Sequence, residues 1–210
     1  MRRYTLTAIG QANHAGTTPF ELRQDAGRVA TRAAAELRRI CQEAAPASIG
    51  NAGVISFQLA AANVVPGTAR VELEVRAGTE VLDSIERSLE DFVAKVAAEE
   101  ACDAVVERTS AKPAALFDER VYGVVEDVCR QHTDRCRPPL SYAGHDASVI
   151  STRLPTAMLF VPSTGGFSHS NREHTADEHL VLGAQALLDT VVRTGEAMLP
   201  RLLSEELLAA

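Results

Sequence analysis

The segment G-Q-A-N-H-A-G-T-T-P, Gly10 to Pro19, carries the chain from a strand-like stretch into a Gly-containing loop that presents His14 ahead of a helix beginning near Asp25. An imidazole N–H displayed this way can donate to a carbonyl oxygen that gains negative charge during nucleophilic attack. It can also serve only its own loop, by bonding to nearby backbone. Further along, N-V-V-P-G (Asn63 to Gly67) precedes a strand ending in Arg76, which falls on the polar side opposite Val71, Leu73 and Val75. A guanidinium and an amide side chain suit a carboxylate clamp. Equally, N-x-x-P-G is good turn chemistry, and a strand arginine can simply face water.

Two further motifs lie toward the C-terminus. A-G-H-D-A, Ala143 to Ala147, sets His145 and Asp146 where a helix is predicted to start, so the aspartate either caps that helix or supports an active site. P-S-T-G-G-F-S-H-S-N-R-E-H-T, Pro162 to Thr175, follows an apolar strand-like run directly, the position at which parallel α/β sheets build their sites. Its Gly165-Gly166 turn lets backbone N–H groups approach a substrate, while His169 and Glu173 are donors suited to zinc or manganese. No H-E-x-x-H or zinc-finger spacing occurs, so spacing alone is a weak metal signal. His174 and His179 read as surface residues near the start of the last helix.

The elements that must position these residues are of two kinds. Tyr4 to Ile9, then Ile55, Phe57 and Leu59, then Val71, Leu73 and Val75 alternate with polar residues, which predicts strands with one wet face. Val29, Ala33, Leu37, Ile40 and Ala44, and later Leu82, Ile85, Leu89, Phe92 and Val96, recur at helical spacing. With Ala104 to Arg108 as a fourth strand the order is βαββαβ, the ferredoxin-like arrangement of an antiparallel sheet with both helices on one face. This unit occupies residues 1–112. In residues 113–210 the pattern changes. Thr156 to Val161 is a nearly unbroken apolar run of the kind that forms a strand buried on both faces, with helices before it (Val121, Val124, Val125, Val128) and after it (Leu180, Ala184, Leu187, Val191). Partner strands are missing, so this region reads as an incomplete end of an α/β layer whose other strands lie outside the sequence.

Composition narrows the partners. Twenty-one basic against 28 acidic residues give a net charge of -7, and the basic residues are scattered rather than striped, which argues against nucleic acid. Nothing approaches the roughly 20 apolar residues of a membrane span, and Met1 to Gly10 lacks the apolar core of a signal peptide, so the expected location is cytoplasmic with no membrane partner. Cys41, Cys102, Cys129 and Cys136 form no C-x-x-C pair; Cys41 and Cys129 fall on apolar helical positions, and all four are expected reduced and structural.

Taken in order, H-A-G-T-T-P with R-Q-D-A downstream, N-V-V-P-G with E-V-R, A-G-H-D-A, and F-V-P-S-T-G-G-F-S-H-S-N-R-E resemble the hydantoinase/carbamoylase branch of the zinc aminoacylase/carboxypeptidase superfamily, over nearly the whole chain. The resemblance implies an α/β protein with a ferredoxin-like βαββαβ lid and dimerisation domain, followed by the C-terminal part of a zinc-peptidase-like catalytic domain. It implies hydrolysis of the ureido C–N bond of N-carbamoyl-L-amino acids or allantoate-like substrates with two divalent ions, zinc or manganese, in a homodimer joined through the lid. By the same resemblance His14 polarises the scissile carbonyl in the partner subunit's site. Asn63 and Arg76 hold the substrate carboxylate, with Gln11 close enough to join them. His169 is the last metal ligand, while the residues themselves suggest that Gly165 and Gly166 line the substrate and that His145, Asp146 and Glu173 support the site.

Departures set limits on that reading. In the family an H-x-D motif, a bridging aspartate and an adjacent acidic pair precede the lid, and this sequence carries no counterpart of them ahead of its lid, so a missing N-terminal catalytic half is expected to supply the remaining ligands, and the chain alone is expected to be inactive. Phe20, Glu74 and Tyr142 replace a methionine, an aspartate and a small residue, respectively. Two alternatives stay open: an aminoacylase or dipeptidase of the same superfamily, and a catalytically silent dimerisation module.

Overall fold

The computed structural model describes residues 1–59 and 61–208, with side chains as far as Ala197. The chain divides into two compact units, Met1–Ala114 and Ala115–Ala210.

The first unit is built on a four-stranded sheet of β1 (Arg2–Ile9), β3 (Ile49–Phe57), β5 (Thr68–Arg76) and β6 (Asp103–Ala111). Their order is β3-β5-β1-β6, and every neighbouring pair is antiparallel. Strand alternation decides the faces. Ala69, Val71, Leu73 and Val75 of β5 and Tyr4, Leu6 and Ala8 of β1 are all buried, while Arg70, Glu72, Glu74 and Arg76 project from the opposite face. Against the apolar face lie α1 (Ala26–Ala44) and α2 (Thr79–Glu99), which bury Val29, Ala33, Leu37 and Ile40, and Leu82, Ile85, Leu89 and Val96, in one cluster with the sheet. Each of the larger aliphatic side chains contributes about 1.5–3 kcal/mol by leaving water.

Local chemistry fixes where α1 begins. The Asp25 carboxylate accepts the Arg28 N–H at 3.1 Å, a side-chain N-cap, and the Ala26 N–H donates to the Pro66 carbonyl at 3.1 Å. The helix start is thereby tied to the V-P-G turn. That turn is drawn onto the His14 loop by a short ribbon, β2 (Asn13–His14) against β4 (Val64–Val65). Gly67 makes the approach possible, because a Cβ there would stand 2.7 Å from the Ala12 nitrogen.

One strand differs from the sequence expectation. The second sheet strand ends at Phe57, and Leu59 lies beyond it with a positive φ of 53° and 80% exposure. A register shift between Ala52 and Val54 interrupts the simple alternation, so β3 is irregular and largely exposed.

In the second unit α3 (Glu119–His132) packs against α5 (Asp177–Leu208) through Val125, Val128, Ala186 and Thr190. His132 Nε2 meets Asp189 Oδ2 at 2.8 Å, and Arg193 donates to Gln131 at 2.5 Å, which seals the flank of that contact. A five-residue α4 (Asp146–Ile150) lies between them in sequence. One expectation fails in this unit. Thr156 to Val161 is extended but joins no ladder among the described residues, its one such backbone bond being Asp118 N–H to Thr156 O at 3.0 Å, and its side chains are only half-buried to exposed. Without neighbouring strands the run has nothing to pair with. The helix expected through Leu180, Ala184, Leu187 and Val191 is present as α5, with Leu180, Leu187 and Val191 at 50%, 55% and 62% exposure and Ala186 and Thr190 on the buried face.

Candidate functional site

His14 sits in the exposed ribbon, and its loop is folded around its own backbone. Its carbonyl accepts the Thr17 and Thr18 N–H groups at 3.2 and 3.1 Å and the Thr18 hydroxyl at 2.8 Å. Its ring Nδ1 accepts the Gly16 N–H at 3.1 Å. A backbone amide can only donate, so Nδ1 carries no proton in this bond, and in the neutral ring the proton is on Nε2. The imidazole is therefore held as an outward-facing donor. Arg23, which motif reading passed over, fastens the same loop: its guanidinium donates to Ala15 O at 2.7 Å and Thr18 O at 3.0 Å and stacks over Phe20 with 4.3 Å to the ring centre. The R-Q-D-A run contained the signal, but only the folded loop shows which carbonyls the arginine reaches.

Asn63 is exposed and adjoins this ribbon, since its carbonyl accepts the Ala15 N–H at 2.8 Å beside the His14–Val64 pair. Gln11 lies just before the ribbon, with its N–H on Gln24 O at 2.9 Å. Gln11, His14 and Asn63 are thus brought to one end of the sheet. Arg76 is not. Thr68 pairs with Ile9 at that end, whereas Arg76 closes β5 beyond the Arg2–Val75 pair, a span of roughly 26 Å along an extended strand. Nor is its guanidinium an empty clamp: it is half-buried on the charged sheet face and bonds to Glu74 Oε1 at 2.5 and 2.7 Å. Glu74 also accepts Arg3 Nε at 2.7 Å. Burial opposes ionisation of Glu74, but the bonds from Arg3 and Arg76 outweigh it and hold its carboxyl below the ordinary 4.5.

In the second unit His145 occupies the N-cap position of α4 without a side-chain capping bond. Asp146 is the first helical residue, so the capping role considered for it is not the one it plays. Instead the His145 ring meets Ser141 Oγ at 2.8 Å and packs edge-on against Phe160, with ring centres 5.6 Å apart. The loop after Val161 is closed by Thr164 N–H to His174 O at 2.7 Å, and Gly165 and Gly166 turn it with φ of 69° and 71°. His169 is exposed and takes a φ of 52°, a left-handed backbone that costs about 1–3 kcal/mol in a non-glycine residue. Glu173 stabilises this conformation by accepting the His169 N–H at 2.9 Å. Its carboxylate thus serves as a loop staple. Among the described residues no three His, Cys, Asp or Glu side chains stand close enough to hold an ion, so the donors present do not fit a metal centre by themselves. No described helix is long and apolar enough to cross a membrane.

The first unit thus displays an exposed imidazole on a backbone-braced loop, and the second, by itself, an exposed histidine on a glycine-turned loop. A family model described as peptidase family M20/M25/M40 matches residues 10–193, which takes in every motif above. The chain belongs to that family. Among curated M20/M25/M40 relatives, it is 31% identical over 193 residues to allantoate amidohydrolase of Bacillus subtilis, covering 91% of this chain and 47% of that protein. To N-carbamoyl-L-amino-acid amidohydrolase of Rhizobium meliloti it is 28% identical, covering 92% and 46%. Among solved structures, an amidohydrolase/peptidase from Burkholderia cenocepacia superposes with a TM-score of 0.85 at 32% identity, over 92% of this chain and 47% of that one. A hydantoinase/carbamoylase family amidase from Burkholderia multivorans gives 0.84 at 31%, over 90% and 46%. The chain spans about half the length of the curated M20/M25/M40 relatives it matches.

Proposed function

We propose that this chain is the lid-bearing portion of an amidohydrolase that cleaves the ureido C–N bond of N-carbamoyl-L-amino acids or allantoate-like substrates. The observation that carries the reading is the Gly16 N–H on His14 Nδ1, which presents Nε2–H to the outside as an oxyanion donor. The names of the relatives, allantoate and N-carbamoyl-L-amino-acid amidohydrolases, supply the substrate class. In this reading the first unit is a ferredoxin-like lid over residues 1–112, and residues 113–210 are part of a catalytic domain.

Asn63 and Gln11 offer amide groups to the substrate carboxylate, and Arg76 offers a guanidinium at the far end of β5. One small anion cannot touch both ends of that strand, so the two groups act on one substrate only when a second copy brings its ribbon end to the first copy's Arg76. A lid-joined homodimer satisfies this requirement. The family is generally metal-dependent. His169 contributes one ligand and the Gly165-Gly166 turn contacts substrate, while other polypeptide provides the remaining donors. Ions held by such a completed donor set would supply an activated water. His14 stabilises the oxygen that becomes charged, and the clamp residues fix the orientation.

The test joins this chain to the first half of the Bacillus subtilis allantoate amidohydrolase and measures metal content and turnover. The expected result is metal uptake with hydrolysis of carbamoyl-amino acids or allantoate but not of acetyl-amino acids, and a loss of about 100- to 1000-fold in kcat in His14→Ala. The chain alone, with zinc or manganese added, is expected to show no turnover. A metal-loaded fusion that prefers acetyl-amino acids, or that is indifferent to His14, overturns the proposal.

A further inference from the structure

Gly183 stands in the second turn of α5, although glycine is the poorest helix former after proline. Packing gives it a reason. A Cβ at this position would lie 2.4 Å from Cγ1 of Val161, whereas carbon atoms in contact settle about 3.5–4.0 Å apart. The missing side chain is thus a notch in the helix, and a methyl of Val161 fills it.

Val161 is the last residue before the loop that carries Gly165, Gly166 and His169, and α5 begins after that loop, at Asp177. The seat therefore joins the two stems of the loop. The backbone carries its position inward. Val161 is β-branched, so its χ1 is stiff, and as the residue before Pro162 it is confined to extended angles. Pro162 itself has a fixed φ. Beyond it the Ser163 hydroxyl donates to Phe167 O at 2.6 Å, the Thr164 N–H closes the loop on His174 O at 2.7 Å, and Glu173 accepts the His169 N–H at 2.9 Å. A short, hydrogen-bonded route with few soft dihedrals thus connects the methyl in the notch to the backbone of His169.

We propose that Gly183 is a positioning residue: the notch it leaves in α5 seats Val161 and thereby sets where the His169 loop stands. Gly183 acts through Val161. That the loop's position matters to turnover rests on the amidohydrolase reading above, whereas the seat itself does not. A side chain at 183 would have to drive the Val161 methyl back by about 1 Å or more, and a misplacement of that size at a reacting centre costs about 100-fold in rate. The Val161 Cβ lies 3.9 Å from the same point, an ordinary contact. A methyl at 183 is therefore accommodated once Val161 is cut back to alanine.

Amide spectra of the full chain test the seat. In Gly183→Ala the Thr164 and His169 signals are expected to shift and Thr164 exchange to accelerate by about tenfold, while Val125 and Val128 of α3 keep their signals. Adding Val161→Ala to Gly183→Ala should return Thr164 and His169 to their wild-type behaviour. Val161→Ala alone empties the notch and should also speed Thr164 exchange, which decides the matter if Gly183→Ala does not fold. In the fused enzyme Gly183→Ala should lower kcat and kcat/KM together, with recovery in the double variant. Unchanged Thr164 and His169 signals in folded Gly183→Ala overturn the proposal, as does a double variant that fails to restore them, or Thr164 exchange as slow as wild type in Val161→Ala. A wild-type fusion without turnover counts against the amidohydrolase reading and leaves the spectra to judge the seat.

Discussion

The Gly16 N–H donates to Nδ1 of His14 at 3.1 Å, so the backbone two residues on selects the Nε2-protonated tautomer of the neutral imidazole. Gly16→Pro removes that N–H and with it the bond. In wild type, nitrogen-detected NMR of the neutral ring should show His14 protonated on Nε2. In Gly16→Pro the two tautomers should mix, with the rest of the histidine spectrum unchanged. A wild-type ring protonated on Nδ1 contradicts the donor role.

Arg23 should matter to the loop more than to the fold. It makes two hydrogen bonds from a charged group to Ala15 O and Thr18 O, of the kind that contribute about 1.5–3 kcal/mol each when well placed, though Arg23 is only half-buried. Arg23→Ala is expected to speed amide exchange at Gly16, Thr17 and Thr18 by at least about tenfold, at the low end of that range, while β1 and β5 stay protected. Arg23→Lys should not restore protection, because a single ammonium cannot span both carbonyls as a guanidinium fork does.

Glu74 predicts an acid-side stability loss with a definite sign. Its folded-state carboxyl is held below 4.5, with burial resisting and Arg3 and Arg76 overcoming it. A depressed carboxyl pKa stabilises the fold fully above the unfolded value near 4.5, and the contribution fades as pH falls through the folded value. Glu74→Gln should therefore be less stable than wild type at neutral pH, and the difference should shrink as denaturation is repeated toward about pH 3. A gap independent of pH would mean that packing, not charge, is lost.

How much of this was legible in sequence depended on periodicity. Alternation in Val71, Leu73 and Val75 and helical spacing in Val29, Ala33 and Leu37 place buried residues where the structure buries them, because a half-buried strand or helix imposes its period on the chain. The β2–β4 ribbon left no such trace, since two residues a side are too few to show a period. Thr156 to Val161 misled for the opposite reason: apolarity states that a segment can be buried between neighbours, not that the neighbours are present. Likewise, Asn63 and Arg76 are thirteen positions apart and looked like one clamp, until the extended geometry of β5 separated them. The coupling of Gly16 to His14, the grip of Arg23 and the Ser141–His145 contact are matters of side-chain direction, which motif spacing does not encode.

Gly67 offers the sharpest test of the ribbon. A Cβ at this position would come within 2.7 Å of the Ala12 nitrogen and 3.1 Å of its Cβ, and the obstructing nitrogen is backbone that cannot rotate aside. Gly67→Ala must therefore push the Gly10–Ala12 segment away from the V-P-G turn, at a cost on the order of 1–3 kcal/mol. The first casualties should be the Gly10 N–H bond to Gly67 O and the Ala15 N–H bond to Asn63 O, each 2.8 Å long. Exchange at Gly10 and Ala15 should accelerate while β1–β5 amides such as Leu6 remain slow, because that pairing is carried by the sheet core. In the fused enzyme the same substitution should lower kcat without changing metal content, since it displaces His14 and Asn63 and leaves His169 untouched. Ribbon amides as slow as wild type in a folded Gly67→Ala protein would show that the close approach is not what positions these two residues.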